Sequence, residues 1–352
     1  MGRVTLQTVA DKVGVSRMTV SNAFSRPDQL SETLRTKILA AAEELGYAGP
    51  DPAARALARG TAGSVGVLMT DSLSYAFTDE VATGFLSAIT EELAPTGRAL
   101  TLLTSRSRGE TVPARDVPMD GALVYSCDGF SAAVDWLVRR DVPLVFVDQT
   151  PVDDRPSVNV DDRAGARAAA QHLLDLGHRR VGILTGELSG PHGVGAAELP
   201  SDHHVSRQRI LGWTDALRAA GVEPVVVREP LTPEDAAYEG ARILLEREDR
   251  PTGILCFSDV MAHWVVRAAE DLGLTVPDDL SVVGFDDQPL ARRMRPELTT
   301  VRQPIAEKGR AAAAALTAVI EAAQAGRTLP AEHVVLPTEL VVRDSTGPAP
   351  TD

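Results

Sequence analysis

Residues 6–24, LQTVADKVGVSRMTVSNAF, hold two helical patterns separated by a single glycine. Leu6, Val9, Ala10 and Val13 recur at the three-and-four spacing of a helix with one apolar face. Gly14 breaks the run, Val15 is apolar, and Ser16 suits the N-cap of a second helix, because its hydroxyl can take up an orphan backbone N–H. Helix, short glycine turn and capped helix make the form of a helix-turn-helix. Ala10 is small where the two helices must cross closely. Val20 and Ala23 are expected to turn inward, with Arg17, Met18 and Asn22 outward near the start of the second helix. In such a motif that end reaches base edges in the major groove. An ordinary helical hairpin has the same pattern, so the surrounding sequence decides.

Downstream, Ser31 caps a predicted third helix whose buried stripe is Leu34, Ile38, Ala41, Ala42 and Leu45, ended by Gly46. Gly49-Pro50-Asp51-Pro52 signals a linker. Ala53–Arg59 reads as a helix too short to stand alone in water, one that needs a twin in a dimer or DNA to form. From Ser64 the texture changes. SVGVLM, RALTLLT, GALVY and PLVFVD read as buried strands separated by helices around 80–94 and 130–140. RVGILTG, EPVVVRE, TGILCF and LSVVGFD repeat the pattern, with helices near 164–177, 206–220, 234–247 and 259–273. Two such sets predict two doubly wound parallel-sheet lobes, with ligand sites at the carboxyl ends of their strands. A strand at Thr299–Gln303, a long helix at Ala306–Ala325 and one or two strands in VVLPTELVVR close the body.

Of the 352 residues, 44% are hydrophobic and 24% charged, which places the chain among globular proteins and excludes wholesale disorder. Cys127 and Cys256 lie far apart in apolar runs and read as buried free thiols, with no zinc spacing. No run reaches the length of a membrane span, and MGRVTLQTVADK lacks the apolar core of a secretion signal, so a cytoplasmic protein is expected. The net charge of −14 argues against a nucleic-acid partner until it is divided along the chain. Residues 1–61 carry 8 basic and 6 acidic side chains, against 27 and 43 in the remainder. A slightly basic head on an acidic body fits DNA binding confined to the head.

The chain resembles the lactose/galactose-repressor (LacI/GalR) family of bacterial transcription regulators. The resemblance is carried by VTLQTVADKVGVSRMTVSNAF, AARALA, VNVDDRAGARAAAQHLLDLGHRRVGILTG, RQRILGW, DLGLTVPDDLSVVGFDD and LPTELVVRDST, in family-like order. It implies a small all-α helix-turn-helix head at 1–48 and a hinge at 49–62. It also implies a periplasmic-binding-protein-like body, with a first lobe of 63–160 plus 290–328 and a second of 161–289 plus 329–344. Residues 345–352 are expected to be a disordered tail.

By that resemblance Arg17 and Met18 open the recognition helix, and Asn22 stands where arginine is frequent. Arg17 could bind guanine and Asn22 adenine, each in bidentate fashion, while Met18 offers apolar contact to a thymine methyl. Thr5, Ser16, Thr19 and Ser21 match phosphate-contacting positions, and Leu6 and Ser31 belong to the same DNA-facing set. Ser16 can cap its helix as well. Leu57 matches the hinge leucine wedged into the minor groove, or else packs only on its dimer mate. The resemblance places Asp148, Arg207, Ser258 and Asp286 on effector-contacting positions. Carboxylates and a guanidinium grip adjacent hydroxyls, as of a sugar or nucleoside, with fixed geometry. Asp286 and Arg207 could instead pair with each other, and Asp259 reads as a helix cap. Tyr75 and Phe77 could stack on a sugar ring.

Ser189–His204 has no usable counterpart in the family. Its His192, His203 and His204 fit no standard metal spacing and read as a solvated loop, or a lid over the ligand. The expected protein is a homodimeric repressor of a palindromic operator, controlled by a small effector, with no cofactor, no metal and no membrane partner. A solute-binding protein for transport would share the lobes but not the head. An enzyme would need a nucleophile elbow, Walker loop or metal-ligand pair that the sequence does not offer.

Overall fold

The computed structural model describes residues 4–351 apart from 52–55, 57–59, 70–72, 106–110, 127–130, 188–191, 196–200, 202 and 231–235, and apart from the side chains of residues 27, 75 and 187. The chain divides into two compact units, residues 1–63 and 64–352.

The first unit is built on α1 (Leu6–Val13), α2 (Arg17–Ser25) and α3 (Glu32–Glu44). Gly14 sits at φ 80°, a left-handed conformation that glycine adopts without a Cβ penalty, and its N–H closes α1 on the Ala10 carbonyl. Val9, Ala10, Val20, Ala23, Ile38, Ala41 and Ala42 form the core, with Leu6, Leu34 and Leu45 packed at its margin. Cys127 and the hinge helix expected at Ala53–Arg59, except for Ala56, lie outside the described residues.

The second unit alternates strand and helix. Its first half runs β1 (Ser64–Met69), α4 (Tyr75–Thr78), α5 (Glu80–Leu93), β2 (Ala99–Thr104), α6 (Pro113–Asp116), β3 (Gly121–Tyr125), α7 (Ala132–Arg139), β4 (Leu144–Val147) and β5 (Ser157–Val160). Then follow α8 (Asp162–Asp175), β6 (Val181–Glu187), β7 (Gly193–Gly195), α9 (His204–Ala219), β8 (Val225–Pro230), α10 (Ala236–Leu245), β9 (Gly253–Cys256), α11 (Asp259–Asp271), β10 (Ser281–Asp286), α12 (Pro289–Arg293) and β11 (Thr299–Arg302). The chain ends with α13 (Ile305–Gln324), β12 (His333–Leu336) and β13 (Glu339–Val341).

Two sheets result. The first, ordered β12-β5-β4-β3-β1-β2, is parallel throughout. The second, β13-β11-β10-β9-β6-β8-β7, is parallel except for its two antiparallel edges, β13 and β7. Apolar clusters cover both faces of each sheet, so the strands read as continuous hydrophobic runs. The architecture is the expected all-α head followed by two doubly wound lobes.

The lobe boundaries need correction. The expectation placed 290–328 in the first lobe, where α13 does pack, but β11 pairs with β10 in the second sheet. It placed 329–344 in the second lobe, but β12 pairs with β5 in the first sheet. The chain therefore crosses between the lobes three times, after β5, after β11 and after β12. The tail is also corrected. Ser345 is fully buried, donates to the Val282 carbonyl at 2.6 Å and accepts from the Thr299 N–H at 2.8 Å. Thr346 meets His172, Gly347 meets His178, and the Ala349 N–H reaches the Leu176 carbonyl. Small polar residues that suggest disorder are here consumed by buried hydrogen bonds.

Candidate functional site

In the head, the hydroxyls at the helix starts are already engaged. Thr5 and Thr8 form a reciprocal capping box, and Ser16 accepts from the Thr19 N–H at 3.0 Å and pairs with the Thr19 hydroxyl at 2.8 Å. Ser31 caps α3 through the Leu34 N–H. Ser21 is partly buried, and its carbonyl accepts from Ser25 Oγ at 2.8 Å. Arg17 and Met18 stand out from the first turn of α2, Met18 69% exposed. Asn22, one turn on, is half-buried, and its Nδ2 donates to Gln29 Oε1 at 3.2 Å. A groove of about 660 Å³ runs past Thr5, Leu6, Arg17 and Tyr47. Leu6 is divided between that groove and the core. Leu57 lies outside the described residues.

In the body, the carboxyl ends of the strands converge. Asp148 follows β4 and Asp286 ends β10, at φ 54° and 112°. With Ser126 after β3 and Asp287, they are four of the five positive-φ residues other than glycine among the described residues. Such backbone strain concentrates where side chains must be aimed at a site.

Asp148 and Asp286 are linked by residues the sequence reading did not select. Lys308, 1% exposed, donates from Nζ to Asp148 Oδ2 at 2.5 Å and to Gln303 Oε1 at 2.9 Å. Gln303 Nε2 donates to Asp286 Oδ1 at 2.7 Å. Arg209 reaches the same Oδ1 at 3.3 Å, donates from Nε to Asp162 Oδ1 at 2.8 Å, and bonds the Phe257 carbonyl. Its guanidinium lies over the rings of Phe285 and Phe257, 3.5 and 4.6 Å from the centroids. A buried polar chain thus runs from Asp148 in the first lobe, through Lys308 and the crossover residue Gln303, to Asp286, Arg209 and Asp162 in the second. Asp148 Oδ1 is buried with no hydrogen-bond partner among the described residues.

Burial pushes the Asp286 carboxyl up to about 7, with Arg209 opposing the shift. Asp162 is raised by burial against the same arginine. Asp259 is raised well above the usual carboxylate range by burial and then by the Asp286 charge.

Other expectations change position. Arg207 does not reach Asp286. It is half-buried and donates to Thr150 Oγ1 of the first lobe at 2.7 Å, while Arg209, two residues on and round the helix, meets the carboxylate. Ser258, not Asp259, caps α11 by accepting from the Met261 N–H at 3.2 Å. Asp259 is fully buried and accepts from the Gln288 N–H and the Thr300 hydroxyl, tying α11 to the segment after β10 and to β11. Phe77 is 68% exposed on the four-residue α4, and the Tyr75 side chain lies outside the described set.

Of the loop histidines, His192 is exposed as expected of a solvated loop, but His203 and His204 are not. His203 is buried, its Nε2 paired with Ser126 Oγ of the first lobe at 2.8 Å and its Nδ1 with Ser206 Oγ at 2.9 Å. His204 Nδ1 lies 3.2 Å from Thr150 Oγ1. Burial lowers His203 to about 3 and His204 to about 4. Gly193–Gly195, between the two halves of the loop, is an edge strand on β8. Among the described residues no group of acidic, histidine or cysteine side chains could hold a metal ion, and no helix is long and apolar enough to cross a membrane.

Known proteins share both units. Residues 5–49 match the bacterial regulatory proteins of the lacI family, and residues 170–346 match a periplasmic binding protein-like domain. An HTH-type transcriptional regulator of Mycolicibacterium smegmatis is 38% identical over 329 residues, 88% of this chain and 89% of the relative. The HTH-type transcriptional regulator IpsA of Corynebacterium glutamicum is 35% identical over 90% of this chain and 91% of its own. Among solved structures, the lac repressor dimer bound to operator and the anti-inducer ONPF superposes with a TM-score of 0.77 at 26% identity, covering 98% of this chain and 100% of the other. The CelR–cellobiose complex gives 0.70 at 28% identity, covering 97% and 100%. A helix-turn-helix followed by a periplasmic-binding-protein-like body is thus a known combination, and the chain belongs to the lacI family of DNA-binding bacterial transcription regulators.

Proposed function

We propose that the protein is a dimeric repressor that binds a palindromic operator and is controlled by an uncharged sugar or related polyol held between its lobes. The observation that carries the ligand reading is the buried chain from Asp148 to Asp162, in which carboxylates, an amide and cations satisfy one another while Asp148 Oδ1 is left without a partner. A polyol hydroxyl donates to that oxygen, and its neighbours replace bonds now made within the protein. Asp148, Asp286, Arg209, Gln303 and Lys308 are the contacts, with Ser258 and the ring of Phe77 or Tyr75 closing on the ligand. Arg207 acts at the rim through Thr150. The relative CelR was solved with cellobiose, which supports this ligand class.

At the DNA, Arg17, Met18 and Asn22 meet base edges, and Thr5, Leu6, Ser16, Thr19, Ser21 and Ser31 position the head on the backbone. A hydroxyl that caps a helix by accepting a backbone N–H still has its own proton to donate to a phosphate oxygen. Leu57 of each protomer enters the minor groove between the half-sites. The ligand acts by favouring one angle between the lobes, which sets whether the two hinges can pair as helices.

Two measurements test this reading. A thermal-shift screen of sugars, polyols and nucleosides should raise the melting point for a polyol, since a ligand that binds only the folded state stabilises it. Selection from random duplexes should return a palindrome with half-sites about one helical turn apart. A screen without hits removes the ligand, and a non-palindromic winner removes the dimer on DNA.

A further inference from the structure

Asn22 has a neighbour that the reading above does not use. After α2, residues Pro27–Gln29 form one 3₁₀ turn. The Gln29 N–H is fixed to the Arg26 carbonyl at 3.1 Å, and the Arg26 N–H to the Asn22 carbonyl at 2.8 Å. Leu30 packs against the head core, and Ser31 caps α3. The backbone on both sides of Gln29 is therefore held, although its side chain is exposed. From that position Oε1 accepts one of the two Asn22 Nδ2 protons at 3.2 Å.

An asparagine amide is nearly symmetric in shape, so a free one presents its oxygen and its NH₂ in either order. Reading adenine requires one order, with the oxygen accepting from N6–H and an N–H donating to N7. With Oε1 of Gln29 holding one Nδ2 proton, Asn22 keeps Oδ1 and the second Nδ2 proton for a base edge. Turning the amide over sets oxygen against oxygen unless Gln29 turns as well.

We infer that Gln29 is a positioning residue for operator reading, its side-chain oxygen orienting the Asn22 amide for adenine. This rests on the reading in which Asn22 faces a base. Gln29 touches no base in this role. Its effect is on the preference at the Asn22 base pair, not on affinity for DNA in general.

The test uses the full chain and the palindrome it selects. Asn22→Ala first defines the base pair, as the one whose symmetric replacement no longer weakens binding. The wild-type penalty for that replacement should be about tenfold or more, the scale of a bidentate base contact. Gln29→Met keeps length and removes the acceptor. It should cut the penalty to within about threefold of Asn22→Ala and leave affinity for an unrelated duplex unchanged. Gln29→Glu still accepts from Nδ2, so the penalty should survive while binding to every duplex weakens through repulsion from phosphate. If Gln29→Met keeps the wild-type penalty, or moves a preference at a different base pair, the positioning role is wrong, and in the second case Gln29 reads a base itself. If Asn22→Ala changes no base preference, the assignment of Asn22 to a base fails first and the inference falls with it.

Discussion

Lys308 carries a buried charge that donates to Asp148 and to the Gln303 oxygen. An ion pair taken out of water is balanced while both partners remain, and removing one leaves the other charged and dry. Lys308→Met should therefore cost about 3–5 kcal/mol in denaturant unfolding, and adding Asp148→Asn should recover most of it. An additive double variant would show that the two side chains do not act as a pair. The signal for Lys308 was present in the sequence. In α13 it shares the buried stripe of Gly309, Ala312, Ala313, Leu316 and Ile320, so it is the charged member of an apolar face. Arg209 does the same in α9, between Val205 and Trp213. Asp148 and Asp286 were legible because each ends an apolar strand. Lys308 and Arg209 carried only that weaker signal and were not selected, because a charge on a helix is ordinarily solvated and its burial depends on which face the other lobe covers.

The helices of eight residues or more were read to within about two residues of their observed ends, since each carries its own apolar period, while the short α4, α6 and α12 were not read. Strand β5 was not read, because SVNV is short and half polar and becomes a strand only between β4 and β12. A close helix contact in the body depends on a glycine. A Cβ on Gly212 would run into the Arg163 carbonyl and would stand 2.8 Å from Ala166 Cβ, so α9 lies directly on the backbone of α8. One turn of that contact also presents Trp213 to the core and Arg209 to the cleft. Gly212→Ala should lower stability by about 1–3 kcal/mol, the usual cost of overpacking. It should also weaken effector binding, because α9 must shift and Arg209 shifts with it. A variant with wild-type melting temperature and ligand affinity would place slack in this interface where the structure has none.

Across the whole molecule the lobes are held by groups that respond to acid. His203 and His204 bond to Ser126 and Thr150 of the first lobe, and burial, then the charges of Arg209 and Arg207 respectively, holds both below the ordinary histidine range. A depressed folded-state pKa means stability that is present above about pH 6.5 and lost as pH falls toward 3–4. Asp286, raised to about 7, has the opposite sign: its contribution is full below the usual aspartate value and is lost as pH rises through 7. The two trends overlap, so the comparison that isolates His203 is wild type against His203→Gln, which keeps a partner for Ser126 but cannot take up a proton. Between pH 6.5 and 4, wild type should lose about 1.4 kcal/mol per pH unit relative to the variant. Parallel curves would mean that His203 is not buried in solution. The three crossovers of the body were not legible in sequence, because strand patterns do not say which sheet a strand joins, and β11 and β12 are separated only by α13. Those crossovers also set an order of events at the ribosome. The first sheet lacks an edge until β12 has emerged, and the second lacks β13 and the buried Ser345. The head holds its own core by residue 47. At about 5–20 residues per second, some 15–60 s of synthesis separate a finished head from a finished body. For that interval the nascent chain can expose a folded DNA-reading surface with no lobes yet able to govern it.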